Sequence, residues 1–134
     1  MALAARVERL RSVPLFARLD DEALALVASV AREFEAPAGR VLTEPKQTGS
    51  GMFVIDDGEA RAEMRGGATR TLGGGDCFGE LALLVRDGGR TARVSAVTDV
   101  RCLAIARDDF YHLLEREPRI ALSLLEVLAE RLAN

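Results

Sequence analysis

At 134 residues the chain has room for one domain, and 49% hydrophobic with 29% charged residues is an ordinary globular mixture that excludes wholesale disorder. Eighteen Lys and Arg against 21 Asp and Glu give a net charge of -3 with no basic stripe, which argues against a duplex-binding module, and 4% aromatics without Trp argue against a stacking platform for single strands. One histidine, His112, and two distant cysteines, Cys77 and Cys102, make neither a zinc cluster nor a Cys–His dyad.

The same counts disfavour a metal-dependent or nucleophilic enzyme, and both thiols are expected to be reduced and structural. No apolar run approaches membrane-spanning length, and the charged opening MALAARVERLR does not read as a signal peptide. A cytoplasmic location is therefore expected, with no membrane span.

Residues 1–11 read as a weakly amphipathic helix. Pro14-Leu15-Phe16 reads as a turn that tucks apolar side chains under the fold. Asp20 is placed to cap a helix, with Asp21 and Glu22 in the first turn, where the helix dipole favours acids. Leu24, Val27, Ala28 and Ala31 recur at helical spacing and give it an inward stripe.

From Glu33 the pattern changes. Val41-Leu42-Thr43 is a short strand, and residues 46–51 are a polar loop. Met52-Phe53-Val54-Ile55 is a strand closed by Asp56-Asp57-Gly58, and Asp-Gly between two apolar runs predicts a hairpin with residues 59–64. Gly66-Gly67 turns the chain into a strand over residues 69–72, and Gly73-Gly74-Gly75-Asp76 is a tight bend. That glycine run lacks the Lys-Ser/Thr of a phosphate-binding P-loop. Strands over residues 91–97 and 100–106 follow, with Thr98-Asp99 between them. Short strands with closely spaced turns predict a mainly β fold, a roll or jelly roll, with flanking helices.

Asp108 is placed to cap a helix through Glu115, and Pro118 suits the first turn of a second. Ile120, Leu124, Leu125, Leu128 and Leu132 give this last helix an apolar face, which either packs on the roll or joins a second subunit in a homodimer.

The chemistry concentrates in Phe78-Gly79-Glu80-Leu81-Ala82-Leu83-Leu84 and Arg90-Thr91-Ala92. A carboxylate flanked by Phe78, Gly79, Leu81 and Ala82 should be partly buried, and a buried charge is costly unless partnered. Arg90 follows a glycine turn and is placed to return to the same pocket. A helical turn over residues 81–84 offers free backbone amides, which with an arginine fork suit an anion. Gly79 permits close backbone approach. Glu80 accepts hydrogen bonds and therefore calls for a hydroxyl donor near that anion, which a sugar phosphate supplies. Thr91 adds a hydroxyl for the phosphate or a base edge.

These two runs resemble the phosphate-binding cassette of the cyclic nucleotide-binding domains shared by catabolite activator proteins, protein kinase A regulatory subunits and cyclic-nucleotide-gated channels. Met52-Phe53-Val54-Ile55 with Gly58 resembles the strand and turn preceding it, and the resemblance runs from about Val13 to about Leu132. It implies a double-stranded β-helix with an N-terminal helix and two C-terminal helices.

It also implies roles. Glu80 would hold the ribose 2′-hydroxyl and Arg90 the cyclic phosphate. The amides of Ala82 and Thr91 would complete the cradle, with Phe78, Leu81 and Ala92 belonging to the cassette. Leu72 and Ala62 would line the purine pocket. The ligand would be cAMP or cGMP, with no further cofactor, and Thr91 is a residue associated in relatives with cGMP.

The resemblance divides the chain into an N-terminal helical segment over residues 1–34, a β-roll over 35–107 with the cassette at 78–92, and C-terminal helices over 108–134. Glu44 is followed by Pro45 where the family often has Glu-Gly-Asp. In relatives the final helix continues into residues that cap the purine, and bacterial members add a helix-turn-helix domain. Asn134 falls where the cap is expected to begin, so direct DNA binding by this chain is not expected. Two readings stay open: a nucleotide-binding regulatory domain, or the same fold without nucleotide acting as a protein-interaction module. A cupin-like enzyme would need a histidine-rich metal cluster, which the sequence lacks.

Overall fold

The computed structural model describes residues 1–44, 51–64, 66–84 and 92–134. Helix α1, Leu3–Arg11, leads into a 3-10 turn, Pro14–Phe16, that buries Leu15 and Phe16. Helix α2, Asp21–Val30, starts as the sequence dictates: Asp20 Oδ1 accepts from the Ala23 N–H at 2.8 Å. Its stripe of Leu24, Val27 and Ala28 is completely buried, with Ala31 just beyond it.

Strand β1, Arg32–Ala36, follows at once, so the roll begins at Arg32 and the N-terminal helical segment ends before residue 34. The reason lies in Arg-Glu-Phe-Glu-Ala: Phe34 and Ala36 alternate with acids, a period-two pattern that only a strand can use. The remaining strands are β2, Val41–Thr43; β3, Gly51–Asp57; β4, Ala60–Met64; β5, Thr69–Leu72; β6, Cys77–Phe78; β7, Ala92–Ala96; and β8, Val100–Ala106. A short helix α3, Glu80–Leu84, lies after β6. Helices α4, Arg107–Arg116, and α5, Pro118–Ala133, close the fold.

Two antiparallel four-stranded sheets form, one in the order β1-β8-β3-β6 and the other β2-β7-β4-β5. The hairpin expected at Asp57-Gly58 is not made. β3 pairs with β6 and β8, whereas β4 pairs with β5 and β7, so Gly58 carries the chain from one sheet to the other.

Side-chain pattern overrides the turn signal here. Met52-Phe53-Val54-Ile55 is apolar on both faces and needs a sheet covered on both sides. Ala60-Arg61-Ala62-Glu63 alternates and needs a sheet with one face in water. The corner also demands glycine. Gly58 has φ +100, and a Cβ there would sit 2.3 Å from the Asp99 carbonyl oxygen. The second sheet-switching corner, at residues 97–99, is stitched to the first by Val97 N–H to Glu59 O at 2.8 Å and Glu59 N–H to Thr98 Oγ1 at 3.0 Å.

Two cores result. One lies between the helices and the outer face of the first sheet, where Met52, Val54, Leu103 and Ile105 meet Leu10, Phe16, Leu24, Phe110, Leu113 and Ile120. The other fills the roll, with Ile55, Leu72, Phe78, Val94, Val100 and Cys102 among alanines 36, 60, 62, 92 and 96. Fully burying one large apolar side chain is worth ~1.5–3 kcal/mol.

The C-terminal helices differ from expectation in two details. Asp108 lies within the first turn of α4, and the cap position is Ala106, which has no side-chain cap. On α5, Pro118 occupies the first turn and Ile120, Leu124 and Val127 are buried, but Leu125 and Leu132 are 60% and 90% exposed. The helical repeat turns those two leucines, with Leu122, to the opposite side. Among the described residues no helix is long and apolar enough to cross a membrane.

Candidate ligand-binding site

The cassette starts where β6 enters the roll. Phe78 is buried and stacks on Phe53, ring centroids 5.1 Å apart, and Phe53 meets Phe34 at 5.7 Å. Phe34 lies in turn beneath the Arg40 guanidinium, 5.3 Å from its ring centroid. Gly79 then takes φ +83, the left-handed region that glycine adopts without steric cost, and the chain passes from strand into α3.

Leu81 and Ala82 belong to α3. Leu83 is completely buried against β3 and the helices, and the Tyr111 hydroxyl donates to the Leu84 carbonyl at 2.7 Å. Helix α3 is thus anchored at its C-terminal end and presents Glu80 at its start.

Glu80 is partly buried, its side chain 24% exposed. Its Oε1 accepts from the Cys77 thiol at 3.4 Å, and its Oε2 lies 3.4 Å from Arg131 Nη1 on α5. Burial first, and the Glu80 charge next, push the Cys77 thiol up to about 12, so it stays a protonated donor. Burial, with the Asp56 charge behind it, pushes the Cys102 thiol up to about 11. Both cysteines are free, and thiols this basic are poor nucleophiles.

Beyond the cassette, β7 is locked in place by Thr43. Its hydroxyl donates to the Ala92 carbonyl at 3.1 Å and accepts from the Val94 N–H at 3.2 Å, filling the register shift between β2 and β7. Of the predicted site residues, Phe78, Ala62, Leu72 and Ala92 come together in the inner core, with Gly79 and Glu80 following directly on Phe78. Arg90 and Thr91 lie outside the described residues.

The sequence matches the family described as Cyclic nucleotide-binding domain over residues 33–117, well over half of the chain. The chain belongs to the cyclic nucleotide-binding domain family.

Among its relatives is the cyclic AMP receptor protein of Thermus thermophilus, 34% identical over 128 residues, covering 92% of this chain and 59% of that protein. Another is the cGMP-dependent protein kinase, isozyme 1, of Drosophila melanogaster, 39% identical over 117 residues, covering 81% of this chain and 15% of that protein. The chain thus spans only part of each of these relatives. A crystal structure of the N-terminal domain of a transcriptional regulator from Streptomyces coelicolor A3(2) superposes with a TM-score of 0.82 at 32% identity, covering 93% of this chain and 90% of that one. Two antiparallel sheets with flanking helices are the fold of this family.

Two arginines beside the candidate site residues were not singled out from the sequence. Arg131 meets Glu80 across 51 positions, a contact that local spacing cannot reveal. Arg70 stands opposite Ala62 in the β4–β5 register, on the face that also carries Leu72, and is exposed. Among the described residues it has no ion-pair partner. Strand alternation back from Leu72 would have found it.

Proposed function

We propose that this chain is a non-enzymatic regulatory domain that binds a cyclic purine nucleotide, cAMP or cGMP, at the cassette. The observation that carries this reading is the placement of Glu80: a partly buried carboxylate directly after a left-handed glycine, at the edge of a roll whose inner wall holds Ala62, Leu72, Phe78 and Ala92. Glu80 accepts from the ribose 2′-hydroxyl. Arg90 pairs with the cyclic phosphate, helped by the amides of Ala82 and Thr91, and Gly79 lets the backbone approach. The purine lies along Leu72 and Ala62.

Arg70 favours guanine. An arginine fork donates to two acceptors, and guanine presents O6 and N7 on one edge, whereas adenine offers a donor beside N7. Names of the relatives include both nucleotides, so the base is decided by this chain's own residues. The exposed Leu122 and Leu125 of α5 form the surface for a second copy, which sedimentation across a concentration range tests.

Isothermal titration with cAMP and cGMP is the experiment. Arg90→Ala should weaken either nucleotide at least about tenfold, since removing one partner of a desolvated charge pair costs ~2–5 kcal/mol and each decade is ~1.4 kcal/mol. Arg70→Ala should weaken cGMP more than cAMP. An absence of binding to the parent at millimolar nucleotide would reject the reading and leave the roll as an interaction module.

A further inference from the structure

The strand that leads into the cassette is short and one-sided. β6 has two residues, lies at the edge of its sheet and pairs with β3 alone among the described residues, Cys77 opposite Val54 and Phe78 opposite Phe53. Its entrance is tied down: the Ile55 N–H donates to the Asp76 carbonyl and the Gly75 N–H to the Ile55 carbonyl, both at 2.8 Å. Its exit, where Phe78 gives way to Gly79 and Glu80, has little ladder left to hold it, and so short a pairing is marginal without side-chain support.

A row of aromatic rings supplies that support. Phe78 lies nearly parallel to Phe53, 18° between ring planes, and Phe53 meets Phe34 at 56°. Phe34 is on β1 and Phe53 on β3, with β8 between them. β8 sets Cys102 opposite Phe34 and Ala104 opposite Phe53, side chains small enough for the two rings to meet above the strand. Arg40 closes the row from the corner between β1 and β2, its guanidinium over the Phe34 ring. Its backbone is pinned on both sides: the Arg40 N–H donates to the Pro37 carbonyl at 3.2 Å, and the Arg40 carbonyl accepts from the Ala96 N–H at 2.9 Å. Arg40 is exposed, and among the described residues it has no ion-pair partner.

We infer that Arg40 is a positioning residue for ligand binding. Acting through Phe34 and Phe53, it holds the Phe78 ring in place and so fixes where the left-handed Gly79 delivers the Glu80 carboxylate. The inference rests on the reading of Glu80 as the ribose acceptor, and adds to it a cation outside the cassette. Such a residue raises affinity only by favouring the binding-competent arrangement of the free chain over its alternatives. The most it can contribute is the whole of an exposed cation–ring contact.

The test is isothermal titration of the parent with cAMP and cGMP. Arg40→Met, Arg40→Lys, Phe34→Leu, the Arg40→Met/Phe34→Leu double variant and Glu80→Gln are then titrated with whichever the parent binds more tightly. Arg40→Met keeps the apolar stem and removes the charge, and should weaken binding about 2- to 5-fold. Arg40→Lys keeps a cation over the ring and should recover part of the loss. Phe34→Leu should weaken binding too, and adding Arg40→Met to it should weaken it no further, because the ring through which the charge acts is gone. Amide NMR of the free proteins should show Gly79 and Glu80 shifted in Arg40→Met and returned toward the parent positions in Arg40→Lys. A residue that only stabilised the fold would lower the melting temperature and leave those amides and the affinity unchanged.

Parent-like affinity in Arg40→Met overturns the inference, as do unmoved Gly79 and Glu80 amides, no recovery in Arg40→Lys, or a full further loss in the double variant; each leaves the proposed function standing. If Glu80→Gln binds as the parent does, the role of Glu80 is wrong and the inference falls with it. A parent that binds neither nucleotide at millimolar concentration rejects both this inference and the proposed function.

Discussion

Thr43→Val replaces a hydroxyl by a methyl of nearly the same volume at a site only 5% exposed, so it leaves no cavity. What it removes is the bridge across the β2–β7 register shift. The Ala92 carbonyl loses a donor at 3.1 Å and the Val94 N–H loses an acceptor at 3.2 Å, and both groups point toward β2 at a buried position. Leaving one such group without a partner costs ~1–3 kcal/mol, so the pair should cost at least about 2 kcal/mol. At roughly 4 °C per kcal/mol for a domain of this size, the melting temperature should fall by about 8 °C. Urea unfolding followed by circular dichroism measures the loss directly. Thr43→Ser keeps the hydroxyl and should lose less than about 1 kcal/mol, the worth of one methyl group. Ala92 is also where the chain leaves the cassette, so Thr43→Val should weaken cyclic nucleotide binding while Thr43→Ser does not. A loss below about 0.5 kcal/mol in Thr43→Val, or equal losses in the two variants, would refute the reasoning that these two hydrogen bonds fix the start of β7.

Gly79→Ala forces an alanine into φ +83 and should destabilise by ~1–2 kcal/mol, read by the same urea assay, with weaker nucleotide binding because the strain sits at the start of the cassette. Asp20→Ala should lower the melting temperature at pH 7. The Ala23 amide, followed by Arg119, holds the Asp20 carboxyl below its ordinary range, so its contribution is present at neutral pH and disappears as pH falls through that lowered value; parent and variant should converge in acid. The Cys77 thiol has the opposite sign. Its pKa rises from 9.0 to about 12 on folding, so the stability it contributes is intact below about pH 9 and lost as pH climbs toward 12. Urea midpoints at pH 8 and pH 11 should drop further in the parent than in Cys77→Ser, and equal drops would contradict this.

Much of the molecule was legible in its sequence because local chemistry and tertiary packing agree there. Asp20 caps α2, Pro118 opens α5, and Gly79 sits where a positive φ is required. The failures arose where the two conflict. Asp57-Gly58 carries a strong hairpin signal, yet β3 pairs with β6 and β8 while β4 pairs with β5 and β7, so the turn becomes a corner between sheets. β1 was hidden because its two acids mask a period-two pattern only five residues long. On α5, counting leucines gave one broad face, whereas the helix buries Ile120, Leu124 and Val127 and leaves Leu122, Leu125 and Leu132 in water. At the site, Glu80 was legible from its apolar flanks. Arg131 was not, since only the folded chain brings α5 back to α3.

Amide NMR of the uniformly labelled chain during a cyclic nucleotide titration tests the central claim most directly. If the nucleotide is held by the cassette and roll, saturable shifts will concentrate at Gly79, Glu80 and Ala82, at Ala62, Arg70 and Leu72, and at Ala92, with residues of α1 unaffected. No saturable shift at millimolar nucleotide, or shifts confined to the outer face of α5 around Leu122 and Leu125, would contradict the account.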